Sequence, residues 1–408
     1  MASPSTTLEP AIARAAIPTA GALRRARLAI GVVFLANGAV FGSWAPQIPL
    51  VQERLGLGPA TLGAALLAMA VGALAAMLCA GAVIARFGSA PVTRLTGLVM
   101  CLALPMAALA TGLPALVAAL ALLGAANGMM DVAMNAHAIA VETRLQRPIM
   151  SSLHGMFSLG GLAGAGLGAV ALGVMPPAAH VLLAGALLGL VVLLAARFLL
   201  PGHVDVADAG PHFVWPSRSG LAFGLLAFLV LMSEGAALDW SATWLRTELG
   251  ADPTRAALAF AAFSGCMAAG RFTGDSLRRR CGAVTLVRGS ALLAAIGLAF
   301  AVVLATPNAA ILGFACAGLG LANTVPVLFG AAGRLPDTAP GAGIAATASI
   351  GYLGFLAGPP LIGFIAQMTS LGTALGLPVF ACGMVALFAS MVRIADASPD
   401  GLQARQAR

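Results

Sequence analysis

Residues 55–59 read Leu55-Gly56-Leu57-Gly58-Pro59, and residues 249–253 read Leu249-Gly250-Ala251-Asp252-Pro253. The shared Leu-Gly-x-x-Pro pattern returns at an offset of 194 residues. Gly88 returns as Gly282 at the same offset, and Gly160-x-Leu162-Ala163-Gly164 as Gly354-x-Leu356-Ala357-Gly358. Gly124-x-Ala126-Asn127 returns as Gly320-x-Ala322-Asn323, at an offset of 196. One such match in a chain with 50 glycines carries little weight. Four near one offset mark an internal repeat.

Composition says what each copy contains. Of 408 residues, 60% are hydrophobic and 9% are charged, and mean hydropathy is +0.98. Soluble domains carry about 25% charged residues, so the solvent for this surface is largely lipid. Lipid demands that each backbone polar group be satisfied by helices or a closed barrel. Barrel strands read as segments of about 10 alternating residues. Here the apolar runs are about 20 residues long, the length a helix needs to cross about 30 Å of hydrocarbon. Spans are expected at 28–51, 61–85, 94–112, 114–141, 151–175 and 179–200, then at 219–245, 255–276, 285–305, 308–333, 342–368 and 372–393. The expected fold is an all-α integral membrane protein with twelve transmembrane helices. It divides into a six-helix bundle at 28–200, a linker at 201–218 and a second bundle at 219–393, with tails at 1–27 and 394–408. The run from Leu28 outlasts the h-region of a signal peptide, so it reads as an uncleaved first span. Two parallel repeats imply a pseudo-two-fold axis along the membrane normal, with the solute path between the halves.

All 22 basic residues are Arg, and they lie between apolar runs rather than on one face, which argues against nucleic acid as a partner. The end holding both termini and the even-numbered loops receives 19 of them. Only Arg54, Arg246 and Arg255 fall on the other side, so both termini are expected in the cytoplasm, in a bacterial inner membrane. The six Cys are scattered and read as small packing residues, without disulfide or metal role.

Finer motifs carry a resemblance. The stretch Asp131-Val-Ala-Met-Asn135-Ala-His137 continues through Val141-Glu142, Arg147-Pro148, Ser151-Ser152-Leu-His154-Gly155 and Ser158-Leu-Gly160-Gly161. With Glu234-Gly235 and Asp239-Trp240-Ser241, it resembles the rhizopine-transport (MosC-like) branch of the major facilitator superfamily. The resemblance covers 28–393 and implies that superfamily's fold and a transport function. In the superfamily's signature between spans 2 and 3, Gly81, Arg86 and Gly88 match, but Ala85 stands where relatives have Asp. The salt bridge that locks that loop in relatives is therefore not expected in this half. The superfamily's exporters carry a Gly-Pro motif in span 5, whereas here Gly358-Pro359-Pro360 lies in span 11 and is expected to kink it.

Ionisable groups within spans are costly and usually functional. Asp131 shares a helix stripe with Asn127 and Asn135 at i, i+4 spacing. The stripe reads as a polar face toward the cavity with Asp131 as a proton site, or as glue to a neighbouring helix. Glu234 is the rival proton site, or a carboxyl pinned against the other half. Asp239 falls near the outer end of its span and is expected to be solvated. Arg271 and Asp275 suit an i, i+4 ion pair at a cytoplasmic gate, where Arg86 would also act. Trp44, Gln47, Trp240 and Asn37 are candidate solute contacts, as are Asn127, Asn135 and Asn323; interface anchoring and helix glue are the alternatives. His154 is expected to make a structural hydrogen bond rather than a relay to Asp131.

No HExxH, Walker loop, GxSxG or paired catalytic carboxylate occurs, so neither an enzyme nor a cofactor is expected. The expected function is secondary transport of a small polar or amphipathic solute by alternating access, coupled to protons, by a monomer in contact with membrane lipid. The alternatives are a sensor or scaffold on the same fold, for which the tails are short, and an exporter of drugs or metabolites.

Overall fold

The computed structural model describes residues 19–146, 149–201, 218–335 and 340–396. These residues are helical and contain no strand. Twelve helices are long and apolar enough to cross a membrane. In chain order they are α1 (Ala20–Leu55), α2 (Pro59–Phe87), α3 (Ser89–Ala108), α4 (Leu113–Leu145), α5 (Met150–Val174) and α6 (Pro177–Ala196). Then follow α7 (Arg218–Thr247), α8 and α9 within Pro253–Leu304, α10 (Pro307–Ala332), α11 (Pro340–Met368) and α12 (Leu371–Ala395). Helix α1 starts at Ala20, so Arg24, Arg25 and Arg27 lie on its first turns rather than in a tail. Helix α11 runs helically through Pro359 and Pro360.

The repeat is visible in backbone torsions. Gly56 and Gly250 both end a helix with positive φ, at 62° and 65°. Gly88 turns the chain from α2 into α3 at φ 83°, ψ 156°, and Gly282 turns it from α8 into α9 at φ 77°, ψ 165°. Glycine occupies this region without the penalty a Cβ brings, which is why these two glycines recur.

Packing repeats as well. A Cβ on Gly160 or Gly164 of α5 would collide with the carbonyls of Leu35 or Ala39 on α1. In the second half a Cβ on Gly354 of α11 would collide with the carbonyl of Phe228 on α7. Small residues thus let α5 lie on α1, and α11 on α7, at backbone contact, as membrane helices do without a hydrophobic drive between them. One expected equivalence needs correction. Gly124 of α4 meets the Met69 carbonyl of α2, and Gly318 of α10 meets the Phe263 carbonyl of α8. Both contacts keep the offset of 194, so Gly124 corresponds to Gly318 and not to Gly320. Asn127 and Asn323 are therefore not symmetry mates; the sequence match at 196 arose from a run rich in small residues.

The halves touch along α5–α8 and α2–α11. At the end away from the termini they are closed. A Cβ on Gly63 of α2 would sit 2.7 Å from the Pro359 carbonyl oxygen, and one on Gly363 of α11 would sit 2.6 Å from that of Pro59. Glu53 and Arg246 form an ion pair there at 2.7 Å across the halves. Toward the terminal end α2 loses this partner: Leu78 is 81% exposed, and a Cβ on Gly81 would meet open space.

Candidate functional site

Arg271 of α8 holds a place where three helices meet. Its Nη1 donates to Ser158 Oγ of α5 at 2.9 Å, and its Nη2 reaches Glu234 Oε1 of α7 at 3.4 Å. Ser158 belongs to the first half, Arg271 and Glu234 to the second, so one guanidinium ties the seam. Charge-assisted N–H···O bonds usually close to about 2.7–2.9 Å, and the Glu53–Arg246 pair does so at 2.7 Å. The Arg271–Glu234 contact is longer although both groups are mostly buried, with side-chain exposures of 20% and 12%. The guanidinium is shared between two anchors and satisfies the carboxylate incompletely.

Around this pair lie further polar groups. His154, one turn before Ser158 on α5, is exposed, lies within electrostatic reach of Arg271, and meets Phe34 of α1 edge-on at 5.4 Å. Tyr352 of α11, the single tyrosine of the chain, lies within electrostatic reach of both Asp131 and Glu234. It is 41% exposed and stacks on Phe355, which packs toward Gly235 beside Glu234. Tyr352 thus lies near a carboxylate of each half and is partly accessible. On α4, Asn135 Nδ2 donates to Asp131 Oδ1 at 3.1 Å, so the expected stripe exists at these two residues. Sequence reasoning missed Tyr352 and Ser158. The rarity of tyrosine was a usable signal for the first; the second stood in the quoted Ser158-Leu-Gly160-Gly161 motif without a role.

Other expected site residues lie elsewhere. Trp44 and Trp240, expected to face solute, are sealed between helices at 2% and 0% exposure. Gln47 is buried at the closed end, where its amide meets His180 Nδ1 of α6 at 3.1 Å. Asn323 joins α10 to α8 through a 3.0 Å bond to the Gly270 carbonyl. Asn37 gives its amide to Met134 Sδ of α4 at 3.6 Å, while its Oδ1 has no partner among the described residues. Asn127 is half-buried on α4. Arg86 is exposed at the terminal end with its guanidinium over Phe87. The side chain of Asp275 lies outside the described residues, and Arg271 turns to Glu234 and Ser158. Asp239, expected to be solvated, is buried at 8% because neighbouring helices cover that part of α7. His137 is a structural joint: the Leu200 N–H can only donate to its Nε2, so Nδ1 carries the proton toward Ser89 Oγ at 2.8 Å.

The comparisons agree with this architecture. The profile of the Major Facilitator Superfamily matches residues 30–216. An MFS-type transporter of Yersinia pestis is 40% identical over 85% of this chain and 90% of its own. Membrane protein MosC of Rhizobium meliloti is 36% identical over 89% of each chain. Among solved structures, a mutant of the nucleoside transporter NupG superposes with a TM-score of 0.71 at 13% identity, covering 90% of this chain and 99% of that one; at that identity the likeness concerns the fold alone. With the motifs, the twelve helices and relatives matched over nearly their full length, the chain belongs to the major facilitator superfamily, a multi-pass membrane transporter of small-molecule solutes rather than an enzyme.

Proposed function

We propose that this protein is a secondary transporter that works by alternating access between its two halves, with solute flux coupled to protons through Glu234 and Asp131. The carrying observation is the single guanidinium that ties Ser158 to Glu234 across the seam. A joint of that kind changes when either anchor changes charge. The Arg-rich end reads as cytoplasmic, so the described conformation, closed at the opposite end, is the inward-facing one. The name of the Yersinia pestis relative supports transport.

Glu234 is held by one long contact, to Arg271 of its own half, so protonation frees the guanidinium that bonds Ser158 across the seam. Asp131 has an amide partner on its own helix and none across the seam among the described residues. The test is proteoliposome transport under an imposed pH gradient. Glu234→Gln and Asp131→Asn keep shape and lose the exchangeable proton, so each is expected to exchange solute between compartments yet fail to concentrate it. If both variants concentrate solute as wild type does, coupling through these groups is wrong.

A further inference from the structure

We infer that the solute carries a carboxylate or a comparable small anionic group, and that Arg271 binds it in competition with Glu234. This deepens the transporter reading and rests on it. Arginine presents five N–H donors in a planar fork suited to bidentate capture of a carboxylate. The two bonds made by Arg271, to Ser158 and Glu234, use two of these donors. The acidic partner is bound at 3.4 Å by one nitrogen, well short of a fork-to-fork arrangement. A buried pair gains little unless its geometry is excellent, and among the described residues this one leaves guanidinium donors unused.

The surroundings favour an anion with an organic body. The accessible Tyr352–Phe355 stack offers an aromatic face. His154 and Tyr352 add donors on opposite sides of the gap.

The exchange is balanced. With Glu234 ionised, the guanidinium is neutralised internally and an incoming anion meets a net uncharged pair. When Glu234 takes up a proton, the arginine keeps its charge and loses its partner, and the solute carboxylate replaces it. One proton and one anion thus enter the site together. Among the other titratable groups described on these elements are His154 on α5, Tyr352 on α11, Asp131 on α4 and Asp239 further along α7, while the side chain of Asp275 on α8 lies outside the described residues. Of these, Asp131 repels an anion when ionised, which adds to the preference for acid conditions.

The full-length protein in detergent tests this by thermal shift. The probes are acetate, lactate, succinate, glutamate, gluconate and benzoate, each beside its amide or alcohol counterpart, at mildly acidic and at neutral pH. At least one acid is expected to raise the wild-type midpoint, more strongly at the lower pH, while its neutral counterpart does not. Arg271→Gln is expected to abolish the shift. Glu234→Gln removes the competitor, so affinity for the acid at neutral pH is expected to rise about tenfold, roughly 1.4 kcal/mol, with the pH dependence reduced to the part Asp131 contributes. The inference is overturned if no acid shifts the midpoint, if neutral counterparts act equally, or if the effect survives Arg271→Gln. Should Arg271→Gln not fold, Glu234→Gln decides alone: unchanged affinity overturns the inference. Acid binding without flux in proteoliposomes would instead count against the transporter reading.

Discussion

Glu142 shows how much a single carboxylate does at a helix end in this chain. It closes α4, and its Oε2 accepts the N–H groups of Ile149 and Met150 at 2.6 and 3.0 Å. Those are orphan donors at the start of α5, and the negative charge sits on the positive end of that helix. Glu248 does the same for α12, taking the N–H groups of Leu371 and Gly372. In the sequence, Val141-Glu142 was only a motif; the partner lies across a loop, so no local pattern reveals the role. Glu142→Ala is expected to lower the thermal midpoint, by an amount reflecting about 1–2 kcal/mol for the lost caps. Glu142→Gln should recover part of it, because the amide oxygen still accepts. Equal midpoints for all three proteins would show that water replaces the cap without cost.

At the scale of elements, the most telling contact is between α2 and α11. Gly63 and Gly363 let the two backbones meet at the closed end, and the Glu53–Arg246 pair reinforces it from solvent. That pair is partly exposed, and such pairs contribute about 1 kcal/mol or less; the glycine contact is therefore the stronger determinant of closure. Gly63→Leu places carbon where the Pro359 carbonyl stands, so it is expected to hold that end open. Cysteine labelling of cavity positions from that side should increase, and net transport should fall by at least tenfold. Unchanged labelling would mean that α2 simply shifts to make room. Spans and breaks were legible because apolar length and Gly/Pro punctuation are local. The trio of Ser158, Glu234 and Arg271 was not, since it joins three helices whose relative rotation no single-chain period records. Gln47 and the two tryptophans misled for the same reason: spacing gives a residue's place on its helix, and the neighbours decide whether that face meets a cavity or another helix.

For the molecule as a whole, the 19-to-3 partition of arginine carries the expected orientation, and the three exceptions each have employment. Arg54 donates to the carbonyls of Ala108 and Ala110, Arg246 pairs with Glu53, and Arg255 bonds Asn308. Charges on the minority side are thus bound by protein rather than left free to compete as topological signals. Reporter fusions after Arg408 and within 202–217 are expected to be active only with a cytoplasmic reporter; periplasmic activity at either would invert the assignment. The matching torsions at Gly88 and Gly282 bear on ancestry. They mark the two halves as copies of one six-helix frame. Counting back or forward 194 residues, Arg271 stands opposite Met77, Glu234 opposite Val40 and Asp131 opposite Val325. A pair of identical subunits would have carried every charge twice, setting arginine against arginine across the axis. The halves therefore share a backbone frame and divide the charges between them.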